Sequence, residues 1–267
     1  MQAYYQMPTI HKNQLIFVSE DDLWTVPLKG GVATRLTSNL SPVRFPLLSP
    51  DGKLVAFMGM EERIPEIYVM PSVGGTATRL TWQGCMCFPV CWKGERIIYA
   101  SSYGSFSQRE MFLWEVGLDG MPPQRLDYGP ARSISFGAKG VVLGRNTSDP
   151  ARWKRYRGGT AGYLMIDPDG KNEFRKFLDI NSNLSSPMWI ENRIYFISDH
   201  EGIGNIYSAN LKGKDIQKHS FHEDYYARRA ETDGKSIVWQ AGGDIYCLDI
   251  PTNKTRKIEI EYHSPRV

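Results

Sequence analysis

No stretch of this sequence approaches the roughly 20 consecutive apolar residues that cross a bilayer as a helix. Met1 to Ile10 carry neither a positively charged start nor an apolar run, so they give no export signal. Cysteine is scarce, at Cys85, Cys87, Cys91 and Cys247. Three of the four crowd one short segment, which is not a secreted disulfide framework. They also lack Cys-x-x-Cys spacing and a nearby histidine to complete a zinc set, so they are read as small packing residues. Together these absences predict a reduced, cytoplasmic protein with no membrane partner. An excess of one charge is missing too: 32 Lys and Arg face 29 Asp and Glu, a formal +3. That excludes nucleic acid or an acidic membrane as a global partner.

Chemical motifs are absent as well. There is no Gly-x-Ser-x-Gly elbow, no phosphate-cradling Gly-x-x-x-x-Gly-Lys and no His-Glu-x-x-His. Ser102, Ser105 and Ser107 sit in a Ser/Gly/Tyr loop with no distinctive partner. His219 and His222, followed by Glu223 and Asp224, fall at a strand end, where the helical geometry of a metal pair is lost. Asp167-Pro168-Asp169-Gly170 lacks the remaining ligands of a calcium loop and reads as a turn. The residues therefore predict no catalytic group, no metal site and no cofactor, and no serine with a histidine in reach.

What the chain has is aromatic strand sequence: 7 Trp, 14 Tyr and 11 Phe in 267 residues. A two-strand pattern recurs along its whole length. Leu15-Ile16-Phe17 is followed by Asp22-Leu23-Trp24, and the same pair returns as far as Ile237-Val238-Trp239 with Asp244-Ile245-Tyr246. Its closing residues are Trp24, Tyr68, Trp114, Leu164, Tyr207 and Tyr246, at spacings of 44, 46, 50, 43 and 39. Periods of 40–50 residues with several strands per unit indicate propeller blades. Gly30-Gly31 and Gly74-Gly75 lead into Ala33-Thr34-Arg35-Leu36-Thr37 and Ala77-Thr78-Arg79-Leu80-Thr81, and Ser49-Pro50-Asp51-Gly52 makes a tight turn.

The fold expected is all-β, a six-bladed β-propeller of four-stranded blades. Residues 1–7 form a lead, 8–262 the propeller and 263–267 a tail or the start of a linker. The chain begins on an innermost strand near Pro8 and ends on an outermost strand near Lys257-Ile258-Glu259-Ile260. No clasp strand is therefore expected across the seam, which side-chain packing alone would hold. The longest departure from the repeat runs from Asn146 to Gly159, and long loops in compact domains are often functional.

Several segments go beyond generic propeller signal: Ser19-Glu20-Asp21-Asp22-Leu23-Trp24, Gly144-Arg145-Asn146-Thr147, Trp153-Lys154-Arg155-Tyr156-Arg157-Gly158-Gly159-Thr160, Asp224-Tyr225-Tyr226 and Lys257-Ile258-Glu259-Ile260. On these the chain resembles the amino-terminal six-bladed propeller of tricorn proteases, from Pro8 to about Tyr262. The resemblance implies a non-catalytic part of a cytosolic serine peptidase that trims oligopeptides. It would act as a peptide channel and gate and as a scaffold for the remaining domains or subunits. The family's nucleophile and histidine lie far beyond these residues. Its paired arginines between blades 2 and 3, proposed to hold a peptide carboxylate, have no counterpart in Trp82-Gln83-Gly84-Cys85-Met86-Cys87. The rival readings are a stand-alone protein- or peptide-binding scaffold and a periplasmic propeller resembling TolB, against which the missing export signal argues.

One cluster is a candidate ligand or docking site. Arg145, Arg152, Lys154, Arg155 and Arg157 are interleaved with Trp153 and Tyr156. Arginine forks grip carboxylates bidentately, which suits peptide ends or a partner subunit. Basic groups with stacking aromatics also suit single-stranded nucleic acid, but no nucleic-acid partner is expected. The bland alternative is a loop whose arginines cap carbonyls and pair with local acids.

Overall fold

A computed structural model describes residues 4–38, 41–154 and 156–264. Six four-stranded antiparallel sheets follow one another around a ring. Blade 1 is Gln6–His11, Gln14–Ser19, Asp22–Pro27 and Thr34–Arg35. Blade 2 is Val43–Leu48, Leu54–Gly59, Glu66–Pro71 and Thr78–Arg79; blade 3 is Cys87–Lys93, Arg96–Ser101, Phe112–Val116 and Gln124–Pro130. Blade 4 is Ser133–Phe136, Val141–Arg145, Tyr163–Asp167 and Arg175–Lys176; blade 5 is Leu184–Ile190, Arg193–Ser198, Asn205–Asn210 and Gln217–Lys218. Blade 6 is Arg228–Thr232, Ser236–Ala241, Asp244–Asp249 and Lys254–Lys257. Among the described residues the helical content is one 3-10 turn, Pro150–Trp153, inside the long blade-4 loop.

The apolar second and third strands explain the ring. Each sheet is buried on both faces, against the blade before and the blade after. Ile16, Val18 and Leu23 of blade 1 form one cluster with Val43, Val55, Phe57 and Tyr68 of blade 2. Each such side chain, taken fully out of water, stabilises by about 1.5–3 kcal/mol, so a blade has no stable apolar face on its own.

The repeated Arg-Leu-Thr also has a physical reason. Thr37 Oγ1 donates to Asp22 Oδ1 (2.8 Å) and accepts from the Leu23 amide (2.9 Å). Arg35 pairs with the same buried Asp22. In blade 2, Thr81 donates to Glu66, accepts from the Ile67 amide (2.9 Å), and Arg79 lies 3.3 Å from Glu66. Each outer strand thus satisfies a carboxylate that the third strand buries at its start. Asp167 makes the predicted turn, accepting backbone N–H bonds from Asp169, Gly170, Lys171 and Asn172.

At the seam every blade is built from contiguous chain, as expected. The expectation that side chains alone hold it is corrected. After the last blade strand, Ile260–Glu261 pairs in parallel with Gly31–Val32, outside the first blade. The Gly31 amide donates to the Glu259 carbonyl (3.0 Å), the Ala33 amide to the Glu261 carbonyl (2.9 Å), and the Tyr5 amide to the Gly243 carbonyl (2.9 Å). Gly30 has φ +95°, and a Cβ there would lie 2.5 Å from the Glu259 carbonyl oxygen. Tyr262 packs edge-on to Tyr5 and lies 4.5 Å from the Trp24 ring centre.

Candidate functional site

The first strand of each blade lines the centre of the ring. Between them lies a cavity of about 720 Å³. The connections from second to third strands and from blade to blade gather at one mouth, here called upper. The tight hairpins gather at the other, where the Lys12 amide donates to Asp233 Oδ2 across the blade 1–6 boundary (2.9 Å).

The inner strands are not regular. Blades 1, 2, 3, 5 and 6 each carry a register shift against the second strand. In four of them the extra residue sits in the left-handed region: Met7 (φ 51°), Phe45 (φ 54°), Ser186 (φ 48°) and Arg229 (φ 53°). Bulges bend a strand and re-aim a side chain. These four, with Phe88 of blade 3 and Arg132 at the entrance to blade 4, all line the cavity. Phe45 and Phe88 stack at 4.9 Å. The Arg229 guanidinium lies over Phe45 at 4.6 Å, and Arg132 over Phe88 at 5.7 Å.

Charge gathers at this upper mouth. Burial, and then the nearby Arg229 and Arg152 charges, pull the Arg132 guanidinium below its ordinary range. Burial does the same to Arg229, opposed by Asp149. Asp149 is nearly buried and pairs with Arg228. Further down the wall, desolvation pushes the half-buried Glu231 carboxyl up to about 8, opposed by Arg229. Cys91 faces Glu231 across the lumen, and burial raises its thiol.

The structure divides the candidate basic loop. Arg145 Nη2 donates to the Tyr128 carbonyl (2.7 Å), which anchors blade 4 to blade 3. Arg157 Nη1 lies 3.1 Å from Asp199 Oδ2, and Nη2 donates to the Asp199 carbonyl (3.2 Å). Asp199 is fully buried, so Arg157 is committed to it. Asn183 Nδ2 holds the Tyr156 carbonyl (2.8 Å). Lys154 is exposed and lies over the Tyr226 ring at 5.6 Å. Among the described members of the cluster, Arg152 alone reaches the cavity wall. Arg155 and the Trp153 side chain lie outside the described residues. Sequence reasoning missed Arg132, Arg229 and Glu231. A residue before proline recurs in four inner strands, at Met7-Pro8, Phe45-Pro46, Phe88-Pro89 and Ser186-Pro187, but Arg229-Ala230 breaks that pattern and neither Arg132 nor Glu231 belongs to it.

The expectation that no serine has a histidine in reach is overturned. Ser208 Oγ lies 2.7 Å from His219 Nε2, and His219 Nδ1 lies 2.6 Å from Asn253 Oδ1. Ser198 Oγ lies 2.8 Å from His200 Nδ1. Both serines are 0% exposed. Arg193 Nε already donates to Ser208 Oγ (2.9 Å). An acyl substrate has to approach within about 3 Å of a nucleophile, and neither hydroxyl offers a path. The chain Arg193–Ser208–His219–Asn253 satisfies buried polar groups on the outer side of blade 5.

These histidines predict an acid limb of stability. Burial holds His200, His219 and His222 below the ordinary imidazole range. His222 Nε2 accepts from Trp239 Nε1 (2.9 Å), a bond only the neutral ring can accept. The unfolded chain therefore binds more protons than the folded one below about pH 6.5, and stability falls as pH drops through the folded values. Glu231 has the opposite sign: its raised folded pKa gives stability below the unfolded value of 4.5, lost as pH climbs through about 8. Melting curves should show a loss from pH 7 to pH 5 that His222→Gln makes shallower. Glu231→Gln, which removes the opposing slope, should make that loss steeper and flatten the decline from pH 7 toward pH 8, and identical profiles for all three proteins would refute the assignment.

The model of the tricorn protease N-terminal beta propeller domain matches residues 2–254. Tricorn protease homolog 1 of Streptomyces coelicolor is 38% identical over 99% of this chain and 25% of its own length. The tricorn protease of Thermoplasma acidophilum is 37% identical over 95% of this chain and 25% of its own. The crystal structure of the tricorn protease superposes with a TM-score of 0.92 at 34% identity, covering 99% of this chain and 27% of that one. The chain thus spans about a quarter of the length of these relatives.

Proposed function

The chain belongs to the tricorn protease N-terminal β-propeller family, and from that premise we propose that it is a non-catalytic peptide channel and docking scaffold of a tricorn-type serine peptidase. The remaining domains or subunits, in the cytoplasm, would perform the hydrolysis. One observation carries this reading: the lumen is walled by apolar rings and prolines, yet three guanidiniums, Arg132, Arg152 and Arg229, meet at its upper mouth. A peptide offers such a passage an uncharged backbone, variable side chains and a terminal carboxylate. Guanidiniums in a partly desolvated mouth bind that carboxylate more strongly than they would in open water.

The test is fluorescence anisotropy with one labelled linear peptide, made with a free carboxylate and as its amide. The carboxylate form should bind more tightly. Arg132→Ala with Arg152→Ala should weaken it by about tenfold, or 1.4 kcal/mol, and should move the amide little. The purified chain should leave both peptides intact. Equal binding of both forms to wild type and variant would remove the role of the mouth.

A further inference from the structure

We propose that the outer edge of blade 3, from Gln124 to Tyr128, pairs antiparallel with the same edge of a second copy of this chain, about a twofold axis at Leu126. An outer strand presents unpaired backbone groups to solvent, and natural sheets blunt such edges with short strands and basic side chains. Five blades do so here. Their outer strands are two residues long in blades 1, 2, 4 and 5 and four in blade 6. Each carries Arg or Lys and no acid. Several of those cations are engaged within the chain: Arg35 with Asp22, Arg79 with Glu66, Lys218 with Glu201 and Lys257 with Asp244.

Blade 3 departs on each count. Its outer strand, Gln124–Pro130, has seven residues. It carries one cation and one anion, Arg125 and Asp127, both exposed. Two positions apart, they stand on one face of the strand. The Arg125 guanidinium lies over the Phe112 ring at 3.5 Å, which holds it at the edge. Among the described residues Asp127 has no charged partner.

The sequence sets the register. Pro123 and Pro130 flank the edge and cannot donate to a ladder. Centring on Leu126 places Arg125 of each copy opposite Asp127 of the other, twice over by symmetry, and Gln124 opposite Tyr128. Centring on Arg125 or on Asp127 sets like charges face to face. Opposite charges directly across an antiparallel pair contribute favourably, and like charges there repel. The backbone agrees. Leu126 repeats the place of Leu36 and Leu80, whose amides donate inward to the Leu23 and Ile67 carbonyls. Backbone groups alternate along a strand, so those of Arg125 and Asp127 face outward. A contact of this kind closes at two copies. An edge this short buries less than the roughly 1,000 Å² of a stable interface, so the dimer is weak, with a Kd on the order of 10–100 µM.

The test is sedimentation velocity on the whole chain, from well below to well above that range, with the melting temperature of each variant measured alongside. The weight-average mass should climb from one chain toward two. Asp127→Arg sets arginine against arginine, and should weaken association at least about tenfold. Adding Arg125→Asp to it restores opposite charges, and should return association to within about threefold of the wild type. A wild type that stays one chain throughout, a mass that climbs past two, or an Asp127→Arg variant that associates as tightly as the wild type each overturns the proposal. A double variant of normal melting temperature that stays dissociated does the same. If the double variant melts well below the wild type, because Arg125 has left Phe112, Asp127→Arg decides alone. None of these outcomes bears on the channel reading, which concerns the lumen.

Discussion

A chain ended after Lys257 should lose about 4–6 kcal/mol of stability and open between blades 1 and 6. The residues removed include Ile258, which is 2% exposed and packs with Leu15, Phe17 and Trp24 of blade 1 and Val238 of blade 6. Losing a buried isoleucine costs about 2–5 kcal/mol. Two backbone hydrogen bonds to Gly31 and Ala33 go with it, each worth about 1 kcal/mol net, as does the Tyr262 ring against Tyr5 and Trp24. A milder version is Gly30→Ala, where the added methyl meets the Glu259 carbonyl and φ +95° is itself strained. Urea unfolding should give a lower midpoint for both, with the truncation losing two-state behaviour. A truncated chain as stable as the full one would mean that inter-blade packing alone closes the ring.

The second large effect is expected at Asp199. Its Oδ1 accepts from the Asn183 amide (2.8 Å) and Ser182 Oγ (3.1 Å), and its Oδ2 pairs with Arg157. Removing one partner of a buried pair costs about 3–5 kcal/mol. Arg157 keeps 26% of its side chain in solvent, which lowers the expected cost of Asp199→Ala to about 2–4 kcal/mol. The loop from Asn146 to Gly159 should lose its anchor at the same time. Limited trypsin digestion should then cut around Lys154 and Arg157 many times faster than in the wild type. Unchanged digestion would show that Asp149, held by Arg228, fixes the loop without help from Asp199.

The contrast between these two sites shows what the sequence made legible. The blades could be read because their signal is local and repeated: apolar strand, turn, aromatic-ended strand. The Arg-Leu-Thr outer strands were legible as strands, and their bonds to Asp22 and Glu66 follow from the same repeat. The seam was not legible. Its closing strand is two residues long, and its partner, Gly31–Val32, reads as a turn. The basic loop was legible as charge but not as function. Arg157 and Arg145 are spent on Asp199 and on the Tyr128 carbonyl, groups 42 and 17 residues away, and no spacing rule announces such pairings. The lumen was half legible. Its bulge-and-proline pairs stand in the sequence, but that Arg132 and Arg229 point toward the same mouth depends on ring closure.

The central claim is that peptide occupies the lumen, and the direct measurement is its position. A linear peptide carrying a benzophenone at its middle residue, cross-linked by light and mapped by mass spectrometry, should mark Phe45, Phe88, Pro89 or Trp92 on the inner strands. Adducts confined to the outer strands or the exposed loop around Lys154, with none on those inner-strand residues, would contradict the account.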